Sequence, residues 1–229
     1  MIKLIVFDLW RTLIPATIDF NHLFSLTKKN FLTKEEFLKN YERATHIKNY
    51  SSINELKKDF FLAFNGIEKS TLDKMFYEIY FNRFDKIHFF PDVEKNLTNL
   101  KNSGYKLALL SNTESLLAGN IEQKLSLNKY FDFLGYSFNI RSLKPNKEAF
   151  LFVLKKFGVE PFESLMVGDS LRTDIFGAKK VGMYSVLVNR NNFILDNANV
   201  KPDFEIKSFN EIEKVLNFLN KKKVTKNGF

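Results

Sequence analysis

Polar side chains that could act on phosphorus follow several apolar runs of the sequence. They are Asp8 at the end of "MIKLIVFD", Ser111 and Asn112 in "YKLALLSN", Asp169 and Ser170 in "SLMVGDS", and Lys144 in the loop "RSLKPNKEAF". Ligands of open α/β sheets bind at the carboxyl ends of the strands. If the apolar runs are parallel strands, these side chains converge at one edge of a sheet.

The residue types suit a two-step transfer of a phosphoryl group. The carboxylate of Asp8 could attack phosphorus and form an aspartyl-phosphate. The developing charge then needs Mg²⁺, a fixed ammonium and hydrogen-bond donors around the phosphoryl oxygens. Mg²⁺ prefers hard oxygen ligands, which Asp8, Asp169 and one or more of Ser170, Asp174 and water could supply. Lys144 would neutralise the phosphate, and Ser111 would donate a hydrogen bond to it.

Each of these residues also has an ordinary structural explanation. An Asp after a strand is often a turn or N-cap residue, and Ser111 could cap the helix that follows it. A Lys before Pro is usually a surface residue. The combination favours chemistry, because all four groups occur in this order and each is expected at a strand end.

Strand-like and helix-like segments alternate over most of the chain. Short apolar runs predict strands at Ile2 to Phe7, Tyr105 to Asn112, Phe131 to Ser137, Ser164 to Ser170 and Tyr184 to Asn189. Helices are predicted at about Asp92 to Ser103, Asn146 to Phe157, Arg172 to Val181 and Asn210 to Asn220, the first three each followed by a Gly. This alternation predicts an α/β fold with a doubly wound parallel sheet.

Residues 15–87 show a different pattern, because strand signals vanish there and helix starts recur. The segments "TKEE", "SINE" and "STLD" each resemble a capping box, the last with Asp in place of Glu. We therefore predict a core domain of residues 1–14 and 88–229 and a small helical-bundle cap domain of residues 15–87. Two chain crossings join such an insert to the core, so it could close over the strand ends.

The composition narrows the possible functions. The 229 residues contain no cysteine, which excludes disulfides and thiolate catalysis, and no apolar run long enough to span a membrane. The net charge of +9 favours anionic ligands, but the lysines are scattered and no nucleic-acid-binding module is recognisable. We expect a cytoplasmic monomer or homodimer that binds a small phosphorylated molecule, and neither nucleic acid nor membrane.

Four motifs resemble those of the haloacid dehalogenase-like (HAD) hydrolase superfamily. They are "FDLWRTL", "LLSNT", "LKPNKEAF" and "MVGDSLRTDIFGAKKVGM", of which the last is the most specific. The resemblance covers nearly the whole chain, and it implies a Rossmann-like core with a helical cap inserted after the first motif.

The resemblance also implies roles for the individual residues. Asp8 would be the nucleophile and a metal ligand, and Lys144 would bridge the nucleophile and the substrate. Mg²⁺ would be held by Asp8, Asp169, Asp174 and the backbone carbonyl of Trp10. The phosphate would be bound by Thr12, Ser111, Asn112 and Trp10.

Trp10 departs from the pattern of the resembling phosphatases, which usually carry a second Asp at this position. That Asp protonates the leaving group and later activates water, whereas an indole offers only an N–H donor. Loss of a general acid–base group typically lowers a rate by about 10²–10⁴-fold. The sequence thus predicts a slow phosphatase, or one restricted to good leaving groups. Arg11 replaces the commoner Gly and is either a solvent-facing loop residue or an extra anion contact.

Two alternatives remain open. An aromatic residue at this position resembles the 2-haloacid dehalogenases, in which Asp attacks carbon without magnesium, but "GDSLRTD" keeps the acidic pair of the phosphatases. Alternatively, the chain is a catalytically weakened binding protein in which Trp10 stacks on a ligand. Arg43, His46 and Lys48 of the predicted cap could touch substrate, but on a helix they more often form its solvated face.

Overall fold

The computed structural model describes residues 1–27, 30–81, 86–190 and 199–224. Its centre is a six-stranded sheet in the order β3-β2-β1-β4-β5-β6, in which every neighbouring pair is parallel. The strands are β1 (Leu4–Phe7), β2 (Lys106–Ser111), β3 (Phe133–Tyr136), β4 (Ser164–Gly168), β5 (Tyr184–Val188) and β6 (Phe204–Ile206). The strand order reverses at β1, so the crevice beside β1 is where this type of sheet places a ligand.

Helices cover both faces of the sheet. They are α5 (Val93–Asn102), α6 (Ser115–Leu125), α7 (Ser137–Ile140), α8 (Lys147–Phe157), α9 (Phe176–Val181) and α10 (Ile212–Val224). Alternate residues of β1 enter opposite apolar clusters, Ile5 and Phe7 on one face and Leu4 and Val6 on the other. This double burial explains why the strands are continuous apolar runs in the sequence. The fold class predicted from the sequence is confirmed.

In the described residues between β1 and α5, the structure has four α-helices. They are α1 (Phe20–Leu26), α2 (Lys34–Thr45), α3 (Ile53–Ala63) and α4 (Lys69–Tyr80). They pack around an aromatic cluster of their own that includes Phe37, Phe60 and Phe64. We call the described part of residues 15–87 the helical insert. The predicted boundaries at residues 15 and 87 stay a prediction, and residues 28–29 and 82–85 of that span lie outside the described residues.

Two of the three predicted helix caps are present. Thr33 accepts from the backbone N–H of Glu36, and Ser52 accepts from that of Glu55. The third prediction is wrong, because Glu68 precedes α4 and Ser70 lies inside the helix. The Ser70 hydroxyl instead donates to the Glu68 carboxylate.

The sequence patterns do not predict β6 or α7, which are three and four residues long. They also predict an α-helix from about Arg172, which is four residues before the α-helix begins. Leu171–Ile175 forms a π-helical turn, and the α-helix proper begins at Phe176. Among the described residues no helix has the length and apolar character needed to cross a membrane.

Candidate active site

Asp8 and Lys144 meet at the carboxyl end of β1. Lys144 Nζ lies 2.6 Å from Asp8 Oδ1 and 2.6 Å from Asp174 Oδ1. The three side chains are buried, with 2% of the Lys144 side chain exposed to solvent. Thr12 donates its hydroxyl to the other Asp8 oxygen, Oδ2, at 3.1 Å. These contacts fix both oxygens of the carboxylate that the sequence singles out as a nucleophile.

Asp169 completes an acidic cluster at the end of β4. Asp8, Asp169 and Asp174 each offer a carboxylate oxygen, and these oxygens lie within 4.8 Å of one another. Three converging oxygens match the ligand preference of a hard divalent cation. The donor set therefore fits the magnesium ion predicted from the sequence.

The turn after β4 gives Asp174 its position. Ser170 caps this π-helical turn by accepting from the Thr173 N–H, and its own N–H donates to Asp174 Oδ2 at 3.1 Å. A Cβ atom on Gly168 would lie 2.3 Å from that same Asp174 oxygen. Only a glycine at residue 168 leaves space for the carboxylate, which explains the Gly of the "GDS" segment.

Arg11 lies beside the acidic cluster. Its Nε atom is 2.8 Å from Asp169 Oδ2, although 58% of its side chain is exposed. Its backbone is left-handed, with φ of 59°. The sequence suggested a solvent-facing loop residue or a contact to an anionic ligand. In the structure Arg11 instead pairs with a carboxylate of the protein itself.

Burial and charge shift the pKa values of the site residues. Burial alone would lower the pKa of Lys144, but Asp174 and Asp8 outweigh it and raise that pKa above its usual value. Burial raises the pKa values of the Asp169 and Asp174 carboxyls, although Arg11 opposes the shift at Asp169 and Lys144 opposes it at Asp174. Crowded, buried carboxylates are stabilised by a bound cation, which agrees with a metal at this position.

Trp10 is half-buried and packs against the main core cluster. Its indole Nε1 donates to Thr113 Oγ1 at 3.1 Å, and Thr113 Oγ1 lies 2.8 Å from Ser111 Oγ. Ser111 and Trp10 are therefore linked through Thr113, a residue that the sequence analysis did not select. The signal was available, since Thr113 belongs to the "LLSNT" motif.

Asn112 ties the end of β2 to the loop that carries Lys144. Its Nδ2 donates to the Lys144 carbonyl at 3.1 Å, and its Oδ1 accepts from the Lys144 N–H at 2.9 Å. This reciprocal pair holds the backbone from which the buried lysine reaches Asp8. The structure thus gives Asn112 a positioning contact, and the phosphate binding that the resemblance implies for it stays a prediction.

The sequence analysis also missed Glu42 on α2 of the helical insert. Its Oε2 atom lies 3.5 Å from Asn112 Nδ2, a long hydrogen bond between the insert and the core. Burial raises the pKa of Glu42 to about 7, and the charges of Lys144, Asp8 and Asp174 also act on it. Arg43 and Lys48 are exposed, and Lys48 forms ion pairs with Glu55 and Asp59 of the insert itself.

The sequence is similar to a family of hydrolases and to several phosphatases. Residues 5–188 match the family model for haloacid dehalogenase-like hydrolases. The chain is 26% identical over 234 residues to glyceraldehyde 3-phosphate phosphatase of Methanopyrus kandleri, covering 96% of this chain and 100% of that enzyme. It is 33% identical over 125 residues to the protein of the same name from Methanothermobacter thermautotrophicus, covering 54% of this chain and 55% of that one. The latter match therefore spans about half of the relative's length.

Solved structures share the fold. A HAD phosphatase from Thermococcus onnurineus has a TM-score of 0.62 and 27% identity, covering 94% of this chain and 98% of that one. A 2-haloacid dehalogenase from Pseudomonas syringae has a TM-score of 0.63 and 23% identity over the same shares. The family match covers most of the chain and contains every residue of the acidic cluster, so the protein belongs to the haloacid dehalogenase-like hydrolases.

Proposed function

We propose that this hydrolase is a magnesium-dependent phosphatase that cleaves a small phosphorylated metabolite through an aspartyl-phosphate on Asp8. One observation carries the proposal. Asp8 is buried against Lys144 while sharing a cluster of carboxylate oxygens with Asp169 and Asp174. An enzyme that attacks carbon would gain nothing from two further carboxylates beside an anionic substrate.

The residues have separate tasks in this mechanism. Asp8 Oδ2 would attack phosphorus, while Lys144 holds Oδ1 and orients the carboxylate. On substrate binding, the Thr12 hydroxyl would turn from Asp8 Oδ2 to a phosphoryl oxygen, and Ser111 would donate to another. Asp8, Asp169, Asp174 and the carbonyl of Trp10 would hold Mg²⁺, which neutralises charge on the transferred group. The helical insert would close over the phosphate and select the rest of the substrate.

Relatives suggest the first substrates to assay. Besides the glyceraldehyde 3-phosphate phosphatases, phosphoglycolate phosphatase 1 of Pseudomonas aeruginosa is 32% identical over 109 residues, covering 48% of this chain and 40% of that enzyme. Both names describe small alkyl phosphates. We propose that the substrate of this chain belongs to that class.

The test measures phosphate release and halide release in parallel, with Mg²⁺ and with a chelator. The substrates are glyceraldehyde 3-phosphate, phosphoglycolate and 2-chloropropionate. We expect phosphate release that requires Mg²⁺ and is abolished in Asp8→Asn. Asp19→Asn is the matched control, because Asp19 caps α1 away from the cluster and Asn is an equally good cap. Chloride release in the presence of the chelator would instead identify a dehalogenase. A wild-type protein that releases neither phosphate nor chloride would favour the binding-protein alternative.

A further inference from the structure

When an alkyl phosphate is cleaved, its alcohol portion leaves as an alkoxide, so the reaction needs a proton source near the leaving oxygen. Several groups at this edge of the sheet are already engaged. Lys144 is held between two carboxylates, and Asp8, Asp169 and Asp174 form the candidate metal cluster. The carboxylate of Glu114 accepts from the Leu116 N–H as the cap of α6. The indole of Trp10 cannot exchange a proton at neutral pH.

Helix α2 brings another carboxyl group to the same edge. Its first turn is tied to the core by an ion pair between Glu35 and Arg172, which lies in the turn after β4. At its other end, the His46 carbonyl accepts from Ser137 Oγ at 2.6 Å, just after β3. The helix therefore lies across the carboxyl ends of the strands between β4 and β3.

Glu42 lies on the stretch of α2 between these two attachments. At 100° per residue, positions 35, 42 and 46 fall within about 40° of one another around the helix axis. Glu42 thus shares the core-facing side of α2 with the residues that dock it. Its Oε2 contacts Asn112, whose amide in turn binds both backbone polar atoms of Lys144.

The surroundings of Glu42 suit a group that gains and loses a proton near neutral pH. Burial is the main cause that raises its pKa, to about 7, and the charges of Asp8 and Asp174 act in the same direction. The hydrogen bond from Asn112 and the charge of Lys144 act in the opposite direction. A general acid works best when its pKa lies near the working pH.

We propose that Glu42 is the general acid–base residue of this site, supplied by the helical insert because the core carries Trp10 instead of a carboxylate. The inference rests on the proposed phosphatase function. In the first step Asp8 bonds to phosphorus as the bond from phosphorus to the leaving oxygen breaks, and the Glu42 proton passes to that oxygen. In the second step the Glu42 carboxylate takes a proton from water as the water oxygen attacks the aspartyl-phosphate. This step releases phosphate and regenerates Asp8.

The experiment compares two substrates that differ chiefly in their leaving groups. Phenyl phosphate and 4-nitrophenyl phosphate have nearly the same shape, but nitrophenolate departs readily without a proton. The rate of phenol release is measured in a single turnover with excess enzyme and saturating Mg²⁺. The proteins are wild type, Glu42→Gln and Glu35→Gln. The last is the matched control, because it removes a carboxylate that docks the same helix through Arg172.

Glu42→Gln should slow phenol release from phenyl phosphate by about 10²-fold or more and release from 4-nitrophenyl phosphate by less than about tenfold. Glu35→Gln should leave the ratio of the two rates unchanged. An equal loss on both substrates in Glu42→Gln, or no loss, would overturn the assignment and leave Glu42 a docking residue. A wild-type protein that releases neither phenol would refute the proposed function, and the present inference with it.

Discussion

Trp10 and Glu42 form a complementary pair in the proposed mechanism. The indole is anchored at the end of β2 through Thr113, and the carboxyl group comes from α2 instead. We therefore expect Trp10→Asp to increase the rate most in a protein that also carries Glu42→Gln. In Glu42→Gln, the second substitution should restore the single-turnover rate on phenyl phosphate by at least about tenfold, because a carboxyl group returns to the core.

Trp10→Phe in the same background is the control for this rescue. It removes the hydrogen bond to Thr113 and keeps an aromatic ring, but it supplies no proton. Equal recovery with Phe and with Asp would show that loss of the indole, and not the new carboxyl group, increases the rate.

Arg11 should weaken the binding of magnesium. Its guanidinium is 2.8 Å from Asp169 Oδ2, so it competes with the metal for one carboxylate. An exposed ion pair contributes about 0.2–1 kcal/mol, which corresponds to at most about a fivefold change in affinity. Arg11→Gly should therefore lower the Mg²⁺ concentration for half-maximal activity by up to about fivefold.

Arg141 provides a matched control, because it is also left-handed, with φ of 58°, and follows the last residue of α7, outside the motifs that carry the acidic cluster. Arg141→Gly should leave the Mg²⁺ requirement unchanged. If both variants shift it alike, the cause is the backbone and not the ion pair.

At the level of single elements, local patterns explain most of the successful predictions. The apolar runs predict β1, β2, β4 and β5 because both faces of each strand are buried, and the glycines after α8 and α9 are left-handed caps. The three-residue β6 has too few residues for a periodic signal. Ser70 shows the limit of motif reading, since the helix starts one residue before it.

Gly177 sets the distance between α8 and α9. A Cβ atom there would lie 2.2 Å from the Phe150 ring, which is buried in the apolar cluster that also contains Leu4 and Val6 of β1. Gly177→Ala should lower the free energy of unfolding by about 1–3 kcal/mol, because the packed ring cannot move aside without strain. Urea denaturation would measure the change.

Gly119 is the control, since it lies within α6 and a Cβ atom there would meet nothing within 4 Å. Gly119→Ala should raise the free energy of unfolding by up to about 1 kcal/mol, because Ala favours the helix. Equal effects of the two substitutions would contradict the close approach at Gly177.

Asp92 ties the start of α5 to two distant segments. Its Oδ2 accepts from Arg190 Nη1, Ser208 Oγ and the Phe209 N–H at 2.8–2.9 Å. Burial alone would raise the pKa of Asp92, but these donors lower it below its usual value. Asp92→Asn should lower the free energy of unfolding by about 1.5–3 kcal/mol at pH 7, because hydrogen bonds to a charged group are lost.

The pH dependence of this effect follows from the depressed pKa. The carboxylate stabilises the fold above the unfolded pKa, about 3.9, and that stabilisation is lost as the pH falls through the folded value. The difference between wild type and Asp92→Asn should therefore shrink below about pH 4. Asp73→Asn removes a more exposed ion pair with Lys57 and should cost less than about 1 kcal/mol. A pH-independent difference for Asp92→Asn would contradict the assigned charge.

At the scale of the whole molecule, the candidate site depends on contacts between distant segments. The core part could be predicted, because strand ends of a parallel sheet must meet at one edge, and the structure does bring Asp8, Lys144, Asp169 and Asp174 together. The part of the site contributed by the helical insert could not be predicted from the sequence. The contact of Glu42 with Asn112 joins residues 70 positions apart, and it depends on how α2 docks on the core.

Magnesium should stabilise the whole fold through its candidate ligands. A ligand at 100 times its dissociation constant adds about 2.7 kcal/mol to the free energy of unfolding. For a chain of this size, each kcal/mol raises the melting temperature by roughly 2–4 °C. Saturating Mg²⁺ should thus raise the Tm of wild type by about 5–10 °C in thermal unfolding.

Asp169→Asn should lose most of this shift, because it removes one of the three clustered carboxylates. Asp19→Asn should keep it, since Asp19 caps α1 and does not belong to the cluster. Because the measurement requires no turnover, it tests the metal site independently of the substrate and of Glu42. A full Mg²⁺-dependent shift in Asp169→Asn would place the ion elsewhere and remove the main support for the phosphatase mechanism.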